Sequence, residues 1–516
     1  MLLAPSFAQE KLKTSGQYGG TLIWGVAHKP TIINPILTTT GVSKNILDLV
    51  LNKLIRINSQ DEIIPDLAES WNISSDGLVY TFYLRKGIRF HDGVECTAED
   101  VKFTFDAIMN KKTGSPFVIS NFEIVDSVSV EDTHTLKITL KNPCIYFLYN
   151  LFIEICPKHI LKNADLKTCK FNFHPIGTGP FKFKEWTHNN QIILEYNPDY
   201  YEGRPYLDRI IIKTYPTSKD TWSALMREEV DFVLFLERRD YDVLKNDASF
   251  KTFSILWDWY YAIQYNLDDP VLKDIKVREA IAHGIDRKQI IKKSADGYGL
   301  ECNGPFYPDS EGFNPLIKPI TYDPEKSLQM LKNSGWKDND NNGILEKQGK
   351  ELRINLLVDS RNEIFTKIAM IIRQQLQEIG IKLELILYDN YEILTKEFIE
   401  ENKPQAHLRL FLAGNPAIIV EDWSSKEPKM FDKLWTYNNK IVDSLFKSAE
   451  TVHNKDKREH IYKKIHQIIY KDQPACFIYF PYQFHGISHK FENIEEFFSL
   501  SMPFYTIKNW MTKERR

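Results

Sequence analysis

Residues 63–93 read IIPDLAESWNISSDGLVYTFYLRKGIRFHDG, and turn dipeptides divide them into the arms of a β-meander. In Val79 to Leu84, VYTFYL, successive side chains fall on opposite faces and β-branched or aromatic types dominate, as a half-buried strand requires. Asp76-Gly77 before it is a turn, because glycine accepts a positive φ without steric cost. Ile88 to Phe90 is expected to continue the sheet, and Asp92-Gly93 to turn the chain again. Thr97 then stands three residues before Asp100, a variant of the capping box, and Val101, Phe105 and Ile108 give the following helix one apolar face.

Sheet and helix alternate along the rest of the chain. Short strands separated by Pro and Gly turns are expected between Ile192 and Ile212. A helix opening over Trp222 to Arg227 should lead into an apolar strand, Phe232 to Phe235. A second unit is sharper: strand Leu352 to Val358, a helix over Ile364 to Ile379 capped by Gly380, then strand Ile381 to Leu387. Such a βαβ unit should hold its two strands parallel, with a right-handed crossover. Later helices are expected at Val442 to Ala449 and Ile461 to Ile469, neither with a heptad long enough for a coiled coil. There is no internal repeat and no low-complexity linker.

At 516 residues the chain exceeds the roughly 250–300 at which single cores stop growing, so two or three lobes are expected. With 43% apolar and 26% charged residues it is an ordinary globular composition, and a net charge of −3 gives no electrostatic case for nucleic acid or an anionic membrane. No run of roughly 18 apolar residues occurs. Met1 to Ala8, MLLAPSFA, lacks a basic region, yet Ser6-Phe7-Ala8 has the small-x-small form of a cleavage site, so residues 1–8 read as the remnant of a signal peptide. No Cys follows for lipid attachment. The six cysteines, 96, 144, 156, 169, 302 and 476, contain no CxxC spacing, and buried thiols are expected for most of them.

The 63–93 segment is similar to the signature of the family 5 extracellular solute-binding proteins, the oligopeptide, dipeptide and nickel receptors of ABC transporters. The resemblance extends over nearly the whole chain. It is carried by Gly19-Gly20-Thr21-Leu22, Asn34-Pro35, Phe90-His91-Asp92-Gly93 with Thr97 to Phe105, Gly177-Thr178-Gly179-Pro180-Phe181, and Val277 to Arg287, VREAIAHGIDR. It implies an α/β periplasmic-binding-protein-like fold (type II, cluster C-like): two α/β lobes closing by a hinge on a ligand, with an extra inserted α+β domain. On this numbering, lobe I would comprise residues 9–50, 176–262 and 481–516, the inserted domain II 51–175, and the ligand-closing lobe III 263–480. The implied role is a periplasmic receptor, monomeric and without a cofactor. It would bind a small-molecule or peptide ligand and deliver it to inner-membrane ABC permease subunits.

Enzymatic readings find no anchor. GxSxG, GxxxxGK[ST] and HExxH are absent. Gly297-Tyr298-Gly299 has Cys302 where a dinucleotide fingerprint needs its third glycine, which makes it a loop. His91-Asp92 fits a strand-end turn better than a base with its orienter, and His485 and His489 lie in an aromatic strand pattern rather than on a zinc-binding helix. Asp338 to Gly343, DNDNNG, matches half an EF-hand loop, but the twelfth position is Gly349 and Glu346 falls at the ninth. A solvated turn is expected there. A hydrolase on an unrelated fold remains the remote alternative.

A closing cleft holds its guest by aromatic surface and a few directed polar groups, and 13% of this chain is aromatic. The candidate ligand contacts are Trp24 and His28 near the end of the first strand, and Trp257 and Tyr260 before the inferred crossing into lobe III. Tyr391, Arg409, Asn415, Asp422 and Trp423 complete the set. In peptide-binding relatives the region of Gln405 to Ser425 supplies an Asp for the peptide α-ammonium. Here the matching position carries Asn415, which cannot neutralise an ammonium. Either Glu421 or Asp422 substitutes, or the ligand has no free amine there and is a metal chelate, a sugar or another amine-free solute.

Overall fold

The computed structural model describes residues 18–38, 40–58, 62–113, 122–308, 310–390, 404–414, 416–425, 437–452, 454–494, 504 and 506–513. The expected signal-peptide remnant at 1–8 lies outside them. The chain divides into two compact units, residues 1–255 with 483–516, and residues 256–482.

In the first unit, strands β1 (Thr21–Val26), β2 (Ala68–Ile73), β3 (Val79–Leu84), β4 (Val125–Asp132), β5 (Thr135–Leu140), β6 (Phe181–Trp186), β7 (Gln191–Tyr196), β8 (Arg209–Thr214) and β9 (Phe232–Leu236) form two sheets. The antiparallel sheet, in the order β2-β3-β5-β4, contains the meander. Tyr80, Phe82 and Leu84 of β3 point into the core while Tyr83 faces out, the alternation read from the sequence. Helix α1 (Gly41–Val50) precedes this sheet in the chain, and α2 (Ala98–Met109) buries Val101, Phe105 and Ile108. Asp100 Oδ2 accepts from the Thr97 backbone N–H at 2.9 Å, so the capping box forms. Ile88 to Phe90 is not a further strand. It is one arm of a hairpin bridged only at Arg89 and Glu95, where a two-residue alternation is too short to tell a hairpin arm from a ladder.

The second sheet of this unit runs β9-β1-β8-β7-β6 with the end of the long strand Ala475–Ser488 beside β9. β1 is parallel to both β8 and β9. Helix α3 (Ser218–Met226) begins four residues before Trp222, because Thr217 and Asp220 cap it; α4 (Arg238–Lys245) follows β9. One apolar core joins both sheets. Gly177 and Gly179 pack against the end of α1: an added Cβ would lie 2.1 Å and 2.6 Å from the Val50 carbonyl oxygen. The Gly179 N–H donates to that oxygen at 2.8 Å, so the closeness is a backbone hydrogen bond that only glycine allows.

The second unit has its own core. Its sheet comprises β10 (Trp259–Tyr265), β11 (Arg353–Asp359), β12 (Lys382–Tyr388), β13 (Ala406–Leu412) and β14 (Ala475–Ser488), in the order β12-β11-β13-β10-β14. Helix α5 (Ile275–Gly284) lies in the expected VREAIAHGIDR segment. β11, helix α6 (Glu363–Glu378) and β12 form the expected βαβ unit with parallel strands; the helix C-cap is Ile379, one residue before the expected Gly380, which follows at φ +80°. α7 (Pro416–Trp423) and α8 (Lys440–Ala449) follow. α9 (Lys455–Asp472) is twice as long as its apolar stretch suggests, its first two turns being charged. No disulfide joins the six cysteines; 96, 156, 302 and 476 are buried.

Candidate functional site

Strand alternation on β13 places His407, Arg409 and Phe411 on one face. Register pairs Phe411 with Tyr260 of β10, and their rings stack at 5.4 Å with planes 15° apart. α7 brings Trp423 to the same cluster, where its Nε1–H donates to the Tyr260 hydroxyl at 3.2 Å. Phe477 and Phe480 of β14 close it. Tyr260 is 0% and Trp423 1% exposed, and burial pushes the Tyr260 hydroxyl well above its ordinary range, so it stays neutral. These two candidates are thus brought together, but as a packed aromatic floor rather than an open wall.

Arg409 is half-buried. Its Nη1 donates to Gln264 Oε1 at 2.7 Å, and the guanidinium lies 4.8 Å from the Phe411 ring centre. Burial first, and the Arg409 charge second, hold His407 neutral, well below the usual imidazole range. The Tyr388 hydroxyl meets its Nε2 at 3.2 Å. Asp422, at the last turn of α7, is half-buried and close enough for its charge to bear on Tyr260. Trp257 lies against Trp259, centroids 5.6 Å apart, both half-buried. Tyr391 and Asn415 fall outside the described residues.

Sequence reading passed over Asp258, although it sits between those tryptophans. Its backbone carbonyl accepts from Ala413 N–H at 2.7 Å, and its Oδ2 lies 2.9 Å from where a Cβ on Gly414 would stand. A carboxylate just before β10 therefore borders Gly414. Pairing of β10 with β13, invisible without the register, is what brings it there.

In the first unit Trp24 is 1% exposed and packs edge-on to Phe504 at 4.8 Å, which places it in the core. His28, beyond the end of β1, is exposed.

The competing motifs resolve into structural roles. His91 is tied to the glycine pair: its Nδ1 accepts from Gly177 N–H at 3.3 Å and its Nε2–H donates to the Gly179 carbonyl at 3.0 Å. Burial lowers it to about 4, while its supposed partner Asp92 instead meets His159 Nε2 at 2.7 Å. In DNDNNG, Asp338 accepts the backbone N–H groups of Asn342 and Gly343 at 3.1 Å and 3.0 Å, a solvated turn. His485 lies in β14, not on a helix. Among the described residues no group of three His, Cys, Asp or Glu side chains could hold a metal ion, and no helix is long and apolar enough to cross a membrane. The geometry brings a buried aromatic cluster, Tyr260, Phe411, Trp423, Phe477 and Phe480, together with half-buried Arg409 and Asp422.

The family model for bacterial extracellular solute-binding proteins, family 5, matches residues 62–442. The chain is 31% identical over 508 residues to the oligopeptide-binding protein AppA of Bacillus subtilis, covering 96% of this chain and 92% of that one. It superposes on the solved structure of AppA from Bacillus subtilis in complex with a nonapeptide with a TM-score of 0.77 and 29% identity, covering 97% of this chain and 100% of the other. It is also similar to NikZ of Campylobacter jejuni in complex with Ni(L-His), with a TM-score of 0.78, 28% identity, and 96% and 99% coverage.

Proposed function

Because the chain belongs to the bacterial extracellular solute-binding proteins of family 5, we propose that it is a periplasmic receptor that binds a peptide and delivers it to the permease of an ABC importer. The family is one of binding proteins rather than enzymes. The observation that carries the peptide reading is the end-to-end match to an oligopeptide-binding relative. In this reading Asp258 or Asp422 supplies the negative charge that Asn415 lacks, meeting the peptide ammonium. Arg409 faces the carboxylate end, and Trp257, Tyr391 and Trp423 contribute aromatic surface, the last from beneath. His28 is proposed as a further ligand contact. The division into lobe I, domain II and lobe III is proposed with the boundaries given above.

A second reading keeps the role and changes the solute to an amine-free compound such as a metal chelate. Two observations favour it: the neutral Asn415, and the likeness to a structure holding Ni(L-His).

The test is to purify the protein without added solute, denature it, and identify the released small molecules by mass spectrometry. Peptides support the first reading. A peptide-free eluate carrying one other compound moves the assignment to the second, and chemical turnover of a bound compound overturns both.

A further inference from the structure

Eight non-glycine residues among those described have a positive φ: four are Asn or Asp, types enriched in the left-handed region, and three are the polar, unbranched Glu228, Gln348 and Gln473. The eighth is Phe235, at φ +61°. For a bulky side chain this conformation is a true outlier, and its strain persists only where surrounding structure enforces it. The enforcement is visible. From Val233 to Leu236 the chain takes three steps on β9 while its partner β14 takes two, Gly486 to Phe484, so Leu234 and Phe235 together oppose His485. Such bulges place glycine at the left-handed position; this chain places phenylalanine.

His485 locks the arrangement. It is fully buried, its Nδ1 accepts from the Phe235 N–H at 3.3 Å, and its ring meets the Phe235 ring edge-on at 5.7 Å. Yet the Phe235 side chain is 49% exposed, while its strand neighbours Phe232, Val233, Leu234 and Leu236 are all buried. The bulge thus turns an aromatic ring out of the core at the carboxyl end of β9, which runs parallel to β1. In open α/β sheets solutes bind outside the carboxyl ends of parallel strands.

We propose that Phe235 is a solute-contacting residue of the first unit, held in a strained bulge so that its ring packs against an apolar or aromatic side chain of the bound peptide. The proposal rests on the peptide reading above and adds a specificity element to it: preference for peptides with a large apolar side chain.

The experiment compares wild type, Phe235→Gly and Phe235→Leu with two synthetic peptide mixtures of two to nine residues, one containing phenylalanine and one of glycine and alanine only, using native mass spectrometry and thermal melts without peptide. Loss of one aromatic contact should weaken phenylalanine-containing peptides about tenfold in Phe235→Gly, and less in Phe235→Leu, with the glycine and alanine peptides unaffected. Glycine relieves the left-handed strain, so the melt without peptide should stay within about 2 °C of wild type. A melt lowered by many degrees with affinities unchanged would mark Phe235 as packing only and overturn the inference. Wild-type uptake that both variants retain overturns this inference alone; no peptide uptake by the wild type overturns it together with the peptide reading.

Discussion

Lys53 shows what single buried charges do to this molecule. Its Nζ pairs with Asp48 at 2.5 Å and with Glu154 at 3.4 Å, and all three side chains are under 10% exposed. Burial works against its charge, but the two carboxylates hold its ammonium above the ordinary range. Lys53→Met should therefore cost about 3–5 kcal/mol in urea denaturation, because two carboxylates would remain buried without a cation. Asp48 is pushed up to about 7, chiefly by burial and further by Glu154. An acid whose folded pKa lies above its usual 3.8 contributes stability at low pH and loses it as pH rises through 7. Asp48→Asn should remove that slope, so wild type loses stability relative to the variant between about pH 4 and 7. The comparison must be with the variant, since buried His91 and His466, both lowered to about 4, act in the opposite sense and destabilise as pH falls. At the aromatic floor, Tyr260→Phe leaves the Trp423 indole N–H without its partner and should cost about 1–3 kcal/mol. None of these roles was legible in the sequence, where Asp, Lys and Glu read as surface and a tyrosine in an aromatic run reads equally as core or contact.

At the scale of elements, the glycine pair on α1 makes the sharpest prediction. Gly179→Ala would drive a methyl to 2.6 Å from the Val50 oxygen, and should lower stability by about 1–3 kcal/mol while disturbing the His91 anchor, visible as a shift of the His91 ring resonances in NMR. Meander, capping box and βαβ unit were legible because each has a local signal: period-two alternation in VYTFYL, Thr97 with Asp100, and Gly380 after an apolar helix. Where the signal was not apolar it failed. α9 opens with KDKREH, which no hydrophobic period reveals, and α3 begins at a cap that the following tryptophan obscured. The bulge at Phe235 carries no glycine to announce it, and Asp258 reaches Gly414 only through a strand pairing of distant segments.

For the whole molecule, the two units each enclose a separate apolar core. Calorimetry should therefore resolve more than one cooperative step, with a calorimetric enthalpy larger than the van't Hoff value. A bound solute at about a hundredfold over its Kd should add about 2.7 kcal/mol to the unit or units that hold it. Family membership was legible from motifs spread over the chain, whereas the solute was not: the position that would have decided it carries Asn415, Asp422 was already a candidate to replace its charge, and Asp258 became one only when strand pairing set it beside Gly414.

The cysteines give the molecule an internal clock. Cys96 and Cys156 are buried in the first unit and Cys302 and Cys476 in the second, all with burial raising their thiols, Cys302 to about 12. A thiol that is neither ionised nor accessible reacts with an alkylating reagent only while its surroundings are open. Peptide-mapped alkylation over time would thus record the breathing of each unit separately, in unmodified protein, and a solute that slows only one pair of cysteines would reveal which unit grips it.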